Sequence, residues 1–425
     1  MLDLKWVREN PDVVRKDLKR RRMTTELLDD LLTADLEYRR LKQEVDNLRA
    51  ERNRLTEQVR TLKKEGKNAD AELKKAAGIP DMIKTTEETA DRELNRVKYS
   101  LMRLPNILHE SVPDGKDDTE NKELRKWGTP KTPSFNLRTH EEIAEKMGGA
   151  DFERGAKISG AGFCFIKGNL ALMDIALQRF AIDSLMKKGF TLLEPPLMMR
   201  RDSYEGVTDL ADFENVMYGI KDDDSYLIAT SEHPIAAMHR DEVLEELPLL
   251  YAGVSPCFRR EIGAHGVDTK GLFRMHQFQK VEQFVFCAPE ESWEWHEKLL
   301  KNAEEIWQAL GIPYSVVAVC TGDMGTVAAK KYDIEAWMPR EGKYKEVVSC
   351  SNCTSYQAVR LNIKRRIGKQ GALDEKKEWL HTLNSTAIAT SRALRAILEN
   401  NQHEDGSVEI PKVLRPYMNN MTELR

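Results

Sequence analysis

Two long seams of apolar positions occupy the N-terminal part of the chain. Over residues 27–62 an apolar residue recurs at alternating spacings of four and three, and Arg52 is the charged interruption. A second seam of the same kind covers residues 83–104 and stops at Pro105. The residues between them, 63–78, are rich in Lys, Gly and Ala. Two helices joined by so short a connection must run antiparallel. The pattern therefore predicts a helical hairpin that projects into solvent, with a first helix about 50 Å long.

The charges on this hairpin bear on its role. The seam alone slightly favours a coiled coil for dimerisation. The distal half is nevertheless rich in cations, at Arg49, Arg52, Arg54, Arg60, Lys63, Lys64, Lys67, Lys74 and Lys75, against Glu51, Glu57, Glu65, Asp70 and Glu72. A basic rod can follow a phosphate backbone by its shape, without reading bases, so the charges favour an RNA-binding arm. A further basic cluster, residues 19–22, follows a predicted helix start at Pro11. It is either a solvated helix end or part of the same RNA surface.

Past the second seam the pattern changes to turns, strands and shorter helices. Residues 109–133 are rich in Pro, Gly and Asp and are typical of a linker. Apolar positions at helical spacing over residues 167–186 and 290–312 predict two amphipathic helices, and shorter apolar runs between and after them predict strands. We therefore expect an α+β domain over residues 134–425, preceded by a helical arm over residues 1–108.

The composition excludes several classes of protein. With 425 residues, the chain has room for two or three domains, and a net charge of −4 excludes a uniformly basic coat for nucleic acid. No apolar run approaches the roughly 20 residues of a membrane span, and the N-terminus lacks the apolar core of a signal peptide. Among the six cysteines, Cys350 and Cys353 have metal-like spacing, but a pair of buried thiols is favoured over zinc. We expect a reduced, cytoplasmic protein with no membrane partner.

Residues 255–284 concentrate the candidate chemistry. They read as a strand, a glycine-bearing loop over residues 263–271 and a returning strand from Phe273. By the period of two, one face of the returning strand carries Arg274, His276, Phe278, Lys280 and Glu282. Arg259 and Glu261 would project together from the strand before the loop. Planar guanidinium groups suit phosphate, a flat ring suits a nucleobase and a carboxylate suits an amine. The ordinary alternative is a salt-bridged hairpin on a sheet surface.

The order of these residues resembles the second signature motif of the class II aminoacyl-tRNA synthetases. The resemblance is carried by Phe258-Arg259-x-Glu261 and Phe273-Arg274-x-His276-Gln277-Phe278, while the loop and Gln279-Lys280-Val281-Glu282-Gln283 are similar to the seryl-tRNA synthetase family in particular. The helix and strand ending at Pro196 resemble the first motif, which builds the dimer interface in that class, and residues 383–400 resemble the third. The resemblance implies a homodimer, a class II antiparallel sheet flanked by helices, and an antiparallel coiled-coil arm that grips tRNA.

The same resemblance implies which residues bind each ligand. The positions matching ATP-binding residues are Arg259, Arg260, Glu261, Arg274, Met275, Phe278, Glu346, Val347, Val348, Ser349 and Arg392. Those matching serine-binding residues are Thr230, Ser231, Glu232, Glu282, Asn384 and Thr386. Arg259 and Arg392 would be the catalytic residues, and Glu346 and Ser349 would hold Mg²⁺. Thr230 and Glu232 are equally typical of a helix cap.

The resemblance also leaves two residues open. Where the family usually has Asn-Gly-Ser or Asn-Gly-Thr, this chain has Ser385 in place of the glycine, which leaves the local backbone undecided. His276 is expected to support its neighbours rather than to act as a general base.

The activity that the resemblance implies is a two-step ligation. Serine would react with ATP to give seryl-adenylate, and the seryl group would then pass to tRNA(Ser); whether tRNA(Sec) is also charged stays open. Two rivals remain at this point. A ligase that loads a carrier protein would share the catalytic domain but lack the long arm. A scaffold with a decayed catalytic domain would be expected to have lost its arginines or carboxylates, and all of them are present.

Overall fold

The computed structural model describes residues 1–131, 133–210, 214–261, 271–368, 371–372 and 375–425. The motif loop over residues 263–270 lies outside the described residues. The chain divides into two compact units, Met1–Pro105 and Asn106–Arg425. None of the described helices has the length and apolar character needed to cross a membrane.

The first unit is helical, as the two seams predict. Its helices are α1 (Leu4–Glu9), α2 (Pro11–Arg20), α3 (Glu26–Lys64), α4 (Asp70–Ala77) and α5 (Ile79–Arg103). The 39 residues of α3 give a length of about 58 Å. Helices α3 and α5 pack against each other along their seams, with Leu31, Val45 and Val97 among the buried positions. The predicted helical hairpin is confirmed, although part of its expected tip is the short helix α4.

Polar pairs also cross the hairpin, and one of them includes a charged residue of the second seam. Glu87 occupies a seam position on α5, and the Arg49 guanidinium on α3 lies 2.7 Å from its carboxylate. Nearer the base, the Ser100 hydroxyl donates to Asp30 at 3.0 Å, and Arg96 pairs with the same carboxylate. Each of these carboxylates therefore has a partner on the opposite helix, so a charge within a heptad seam is tolerated.

The second unit alternates helices and strands. Its helices are α6 (His140–Lys146), α7 (Phe152–Ser159), α8 (Gly168–Met186), α9 (Arg201–Val207), α10 (Glu232–Ala237), α11 (Ser292–Leu310), α12 (Tyr356–Leu361) and α13 (Thr390–Asn400). Its strands are β1 (Lys122–Trp127), β2 (Ala150–Asp151), β3 (Phe165–Ile166), β4 (Thr191–Leu193), β5 (Met198–Arg200), β6 (Ser225–Leu227), β7 (Val243–Leu244), β8 (Leu249–Phe258), β9 (Gln277–Cys287), β10 (Tyr314–Ala318), β11 (Lys330–Met338), β12 (Lys343–Asn352), β13 (Lys364–Ile367), β14 (Lys376–Trp379), β15 (His381–Ala389), β16 (Val408–Glu409) and β17 (Glu423–Leu424).

An eight-stranded sheet organises this unit, in the order β1-β10-β11-β12-β15-β9-β8-β4. Neighbouring strands are antiparallel except β4 and β8, which are parallel. Helices α8, α11 and α13 share one apolar core with the sheet, and a second apolar cluster covers part of the other face. The α+β fold with a largely antiparallel sheet is therefore confirmed.

Central strand β9 shows how the sequence alternation works in a strand buried on both faces. Val281 and Val285 belong to the helix-covered core, whereas Phe284 and Phe286 belong to the second cluster. The polar residues at the other end of the strand follow the same alternation, so Glu282 lies on the face of Phe284. One strand thus supplies both apolar packing and polar groups for a site.

Two segments differ from the sequence-based expectation. The stretch 109–133, expected to be a linker, contains β1, which pairs with β10 at one edge of the sheet. The hairpin of residues 255–284 is shorter than predicted, because β8 ends at Phe258 and β9 begins at Gln277. Glu261 has a left-handed φ of 48° and lies beyond the strand, so the prediction that it projects in step with Arg259 was wrong.

Candidate active site

One cavity of about 380 Å³ opens beside β9, β12 and β15 and collects polar side chains from distant parts of the chain. It is lined by Thr230, Glu232, His233, Arg259, Phe278, Lys280, Glu282, Val327, Ala328, Lys331, Glu346, Val347, Ser349, Ser351, Cys353, Asn384, Thr386, Ala389 and Arg392. The lining combines carboxylates, cations and the phenyl ring of Phe278, so the cavity can hold a ligand that carries both signs of charge.

The deepest polar contacts join neighbouring strands. Glu282 on β9 lies opposite Thr386 on β15, and the threonine hydroxyl donates to its carboxylate at 3.2 Å. The Lys280 ammonium lies 2.7 Å from the same carboxylate, with both side chains buried. Phe278, Lys280 and Glu282 face the cavity together, as the period of two predicts. Sequence analysis placed Lys280 on this face but gave it no role.

Glu232 also lines the cavity and has a different environment. Its carboxylate accepts from the Asn384 amide at 3.0 Å, and the Gln357 amide nitrogen lies 3.5 Å away. Burial, and then repulsion from Glu282, raise the pKa of Glu232 to about 7. The adjacent Thr230 hydroxyl accepts the backbone N–H of Glu232 at 3.2 Å, but the residue at the N-cap of α10 is Ser231, which makes no side-chain capping hydrogen bond.

A one-residue bulge explains how Glu346 and Ser349 face the same way despite their odd spacing. In the β11–β12 ladder, Ser349 pairs with Asp333 and Val348 with Ile334, but the next pair is Glu346 with Glu335. Val347 is the extra residue, so the alternation reverses there. Without the bulge, Glu346 would point to the opposite face of the sheet from Ser349.

Two arginines approach the cavity from different elements. The Arg392 guanidinium, in the first turn of α13, donates to Glu346 at its backbone oxygen (2.9 Å) and its carboxylate (3.2 Å). Arg259 donates through Nε to the Ala229 carbonyl at 3.2 Å, and its guanidinium carbon is 5.4 Å from the centre of the Phe278 ring. Burial raises the pKa of Glu346, but Arg392 and Lys331 outweigh it and hold that pKa below its usual value.

Some of the residues matched to ligand positions do not line this cavity. Ser231 is buried, and its hydroxyl donates to the Gly253 carbonyl at 3.3 Å. Val348 belongs to the apolar core, as the alternation on β12 requires. The Arg260 guanidinium lies over the Tyr218 ring at 5.5 Å. Met275 lines a neighbouring small cavity to which Phe278 also contributes.

Arg274 and Glu261 flank the described ends of the motif loop and are also absent from the cavity lining. The imidazole of His276 contacts the Tyr218 hydroxyl, and burial lowers its pKa. It does not line the cavity, in agreement with a supporting rather than a proton-transferring part.

Several lining residues were missed by sequence analysis. Lys331 precedes a predicted strand by one residue, and its ammonium lies 3.6 Å from the Asp333 carboxylate. Burial raises the pKa of Asp333 to about 7. Extending the alternation of β11 by one position would have suggested Lys331. Gln357 does not line the cavity but contacts Glu232 from α12, 125 residues further along the chain, and no comparable signal could have suggested it.

The cysteine pair is split between two environments. Cys350 is buried and faces α11, whereas Cys353 lines the cavity and accepts from the Asn384 amide at 3.7 Å. Both are free thiols. Within the described ranges no three His, Cys, Asp or Glu side chains are grouped as a metal site, so the less favoured zinc alternative has no ligand set there.

Ser385 lies on the opposite face of β15 from Asn384 and Thr386. It is fully buried and pairs across the ladder with Cys350 on one side and Gln283 on the other. Its φ is not among the positive values, so the backbone needs no glycine. The departure from the family pattern therefore adds a hydroxyl outside the cavity.

Comparison with known proteins gives a consistent result. Residues 1–108 match the family model of the seryl-tRNA synthetase N-terminal domain, and residues 217–401 match that of the tRNA synthetase class II core domain (G, H, P, S and T). The serine–tRNA ligase of Methanocella arvoryzae is 61% identical over 428 residues, with 100% of each chain covered. The crystal structure of seryl-tRNA synthetase from Pyrococcus horikoshii complexed with ATP superposes with a TM-score of 0.93 at 49% identity, covering 100% of this chain and 99% of that one. The cytoplasmic serine–tRNA ligase of Naegleria fowleri, in complex with AMP, gives 0.88 at 34% identity with the same coverage.

Proposed function

Since the chain belongs to the seryl-tRNA synthetase family of class II ligases, we propose that its cavity activates L-serine with ATP and passes the seryl group to tRNA(Ser). One observation carries the proposal. Thr230, Glu232, Arg259, Phe278, Glu282, Glu346, Ser349, Asn384, Thr386 and Arg392 come from several elements and line a single cavity. That convergence disfavours a decayed scaffold, and the matched N-terminal domain disfavours a ligase without an arm.

The serine end of the cavity is the half bounded by Glu232, Glu282 and Thr386. A serine molecule offers an ammonium group and a small hydroxyl. The carboxylate of Glu232 forms no ion pair with the part of the chain that the structure describes, so it is suited to bind the ammonium group of serine. Glu282 and the Thr386 hydroxyl lie across the same space, with Thr230 and Asn384 beside them, and offer hydrogen bonds to the serine hydroxyl.

The nucleotide end is bounded by Arg259, Phe278 and Arg392. The ring of Phe278 provides a flat surface for adenine. Arg392, from α13, would contact the outer phosphates. The ATP of the Pyrococcus horikoshii complex and the AMP of the Naegleria fowleri complex support a nucleotide here. Arg260, Glu261, Arg274, Met275, Val347 and Val348 remain proposed neighbours of the nucleotide.

Glu346 and Ser349 fit a magnesium ion. They offer a carboxylate whose pKa is held low and a hydroxyl on the same face of β12, and Mg²⁺ is usually held by one or two carboxylates together with water and phosphate oxygens. The nearby carboxylate oxygen Oδ1 of Asp333 is buried and has no hydrogen-bond partner in the described chain. When bound, the ion would neutralise negative charge on the phosphates.

In this reaction the side chains mainly position the substrates and stabilise charge. A serine carboxylate oxygen attacks the α-phosphorus in line, a new P–O bond forms, and the bond to the bridging oxygen breaks as pyrophosphate leaves. A terminal ribose hydroxyl of the tRNA then attacks the seryl carbonyl, loses its proton and releases AMP. Arg259 and Arg392 stabilise the charge that develops on the phosphate oxygens. No nucleophilic side chain is needed.

Three further parts of the proposal concern the whole chain. Residues 1–108 form the tRNA-binding arm and residues 134–425 the catalytic domain, and residues 109–133 lead from one to the other and add β1 to the edge of the main sheet. The acceptor is tRNA(Ser), with tRNA(Sec) as a second candidate to be tested in the same assay. A cytoplasmic location follows from the proposed substrate and agrees with six free thiols.

A homodimer is proposed through the α8 and β4 surface. Large apolar side chains are exposed there, with Ile175 60% and Met186 51% exposed on α8, and Leu192 39% exposed on β4. Strand β4 is also an edge of the main sheet. Sedimentation of the purified protein tests this proposal, and a monomer at micromolar concentration would contradict it.

The decisive experiment measures two reactions in sequence. Serine-dependent exchange of pyrophosphate into ATP reports the first step, and transfer of labelled serine to tRNA(Ser) reports the second. We expect both, with threonine and alanine as poor substitutes for serine in the exchange. A protein that exchanges pyrophosphate without transferring serine to tRNA would support the carrier-protein alternative, and no exchange at all would refute the catalytic proposal.

A further inference from the structure

A buried histidine outside the cavity contacts two parts of the chain. One is the segment that follows the motif loop, and the other is α13. His140 is the first residue of α6, 4% exposed, and its helix begins with a capping box between Thr139 and Glu142. The Thr139 hydroxyl accepts from the Glu142 N–H at 3.1 Å, and the Glu142 carboxylate accepts from the Thr139 N–H at 2.8 Å. The imidazole is therefore held in place by its own helix terminus.

Both ring nitrogens of His140 are engaged. The backbone N–H of Leu272 donates to Nε2 at 3.1 Å, and Nδ1 lies 2.9 Å from the Glu399 carboxylate on α13. Because Nε2 accepts a hydrogen bond, the ring proton belongs on Nδ1, which donates to Glu399. The same carboxylate oxygen accepts from Arg395 Nε at 3.0 Å. One imidazole thus joins a backbone amide to a charged pair within α13.

The chain passes His140 with no room for a side chain. Gly271 has a φ of 80°, and a Cβ atom there would lie 2.2 Å from His140 Nε2. Leu272 is itself fully buried. The buried N–H of Leu272 has the His140 ring as its acceptor, and Gly271 must stay close to the same ring. Together these two contacts fix the backbone at this point.

The next residue links this fixed point to the cavity. The Phe273 ring centre is 5.1 Å from the guanidinium carbon of Arg392 and 4.6 Å from that of Arg395. Both arginines therefore rest on one ring. The place of that ring depends on the backbone at Leu272, and hence on His140.

We propose that His140 is a positioning residue for ATP activation, because it anchors Leu272 and thereby holds the Phe273 ring on which Arg392 rests. The inference depends on the proposed function, since it assigns Arg392 to the nucleotide. It makes His140 act on the ATP end of the cavity and leaves the serine end, formed by Glu232 and Glu282, untouched.

Two isosteric variants separate the two hydrogen bonds. In His140→Gln the side-chain amide lies near the position of Nε2 and can still accept from Leu272. In His140→Asn it lies near the position of Nδ1 and reaches Glu399 alone. We expect His140→Asn and His140→Ala to raise KM for ATP and lower kcat/KM for ATP by about 10- to 100-fold in pyrophosphate exchange. KM for serine should stay within about twofold, and His140→Gln should recover most of the loss.

His381→Ala is the matched control. This partly buried histidine hydrogen-bonds to the Ser292 hydroxyl at 2.8 Å, and it pairs with Cys287 at the opposite end of β9 from Leu272 and Phe273. It should lower Tm without changing KM for ATP. Should His140→Ala fail to fold, the comparison of the Gln and Asn variants still decides the question.

The inference is overturned if His140→Asn has the KM for ATP of the wild type, or if the variants raise KM for serine and ATP together. The proposed function fails in a different way, because wild-type protein would then show no serine-dependent exchange.

Discussion

Glu232 gives the sharpest prediction about the cavity, because in the proposed function its ionisation would be coupled to serine binding. In the free protein, burial and the neighbouring Glu282 raise its pKa to about 7. An ammonium group bound beside it would favour the charged form and lower that pKa. Serine should therefore bind the ionised carboxylate and release a proton from the fraction of molecules that carry one.

The size of the effect follows from the free-state pKa. With a pKa of about 7, roughly nine-tenths of the carboxylate is ionised at pH 8, half at pH 7 and a tenth at pH 6. KM for serine should then rise about tenfold between pH 8 and pH 6. Proton release on serine binding should be about half a proton at pH 7. Calorimetry in buffers of different ionisation enthalpy measures that release.

A second group in the site titrates in the same range, so the design must separate the two. Burial also raises the pKa of Asp333 to about 7, but that carboxylate lies beside Lys331 and Ser349, toward the proposed nucleotide end. Glu232→Gln should therefore remove the pH dependence of serine binding, whereas Asp333→Asn should leave it intact. A KM for serine that stays flat from pH 8 to pH 6, or keeps its slope in Glu232→Gln, would refute this reasoning.

Four other outcomes are expected. Arg259→Ala should cost about 3 kcal/mol in the activation step, measured by pyrophosphate exchange, whereas Arg260→Ala, over the Tyr218 ring, should cost much less; equal losses would contradict the assignment. Deletion of residues 30–100 should leave serine activation nearly intact and abolish charging of tRNA, and equal charging by the truncated protein would overturn the role of the arm. Ser385→Gly should leave KM for serine within about twofold, because the hydroxyl lies outside the cavity. Glu232→Gln should stabilise the ligand-free protein by about 1–3 kcal/mol at pH 8, measured by denaturant unfolding. A raised folded-state pKa costs stability as pH rises from about 4.5 to 7, so that gain should vanish near pH 4; a gain that is the same at both pH values would refute it.

Much of the fold could be predicted from the periodicity of apolar residues, because the main helices and strands are long and regular. The heptad seams predicted the hairpin, and the alternation of β9 predicted that Phe278, Lys280 and Glu282 share a face. The short helix α4 was missed, since its eight residues lie in a charged segment without a buried face. Strand β1 was missed for a related reason: all its residues are exposed, so its pattern shows no alternation.

The site was less predictable because its register depends on two bulges. Val347 is the extra residue in β12, and Ala387 is the extra residue in β15, where Thr386 pairs with Glu282 but Ile388 pairs with Val281. After each bulge the alternation reverses, which is how Glu346 and Ser349 come to share the cavity. A period of two in a single sequence cannot locate such a reversal, since the extra residue looks like any other apolar position in the run.

The pairing of charges within the cavity explains why Glu232 is the carboxylate that should respond to serine. Glu282 is paired with Lys280, and Glu346 with Arg392, so each of these carboxylates already faces a cation. Glu232 accepts from the amides of Asn384 and Gln357, and no ion pair joins it to the rest of the described chain. An amide donor offsets part of the cost of burying a carboxylate but supplies no positive charge, and the raised pKa follows. A ligand ammonium at that position would supply the missing cation, whereas a neutral ligand of the same size would leave the carboxylate about half protonated at pH 7. Two kinds of probe therefore form a direct comparison: glycinamide-like amines, which carry the ammonium group, and serine analogues without the amino group. The analogue that lacks the ammonium should bind with no proton release. Any proton release on its binding would mean that the responding carboxylate lies elsewhere.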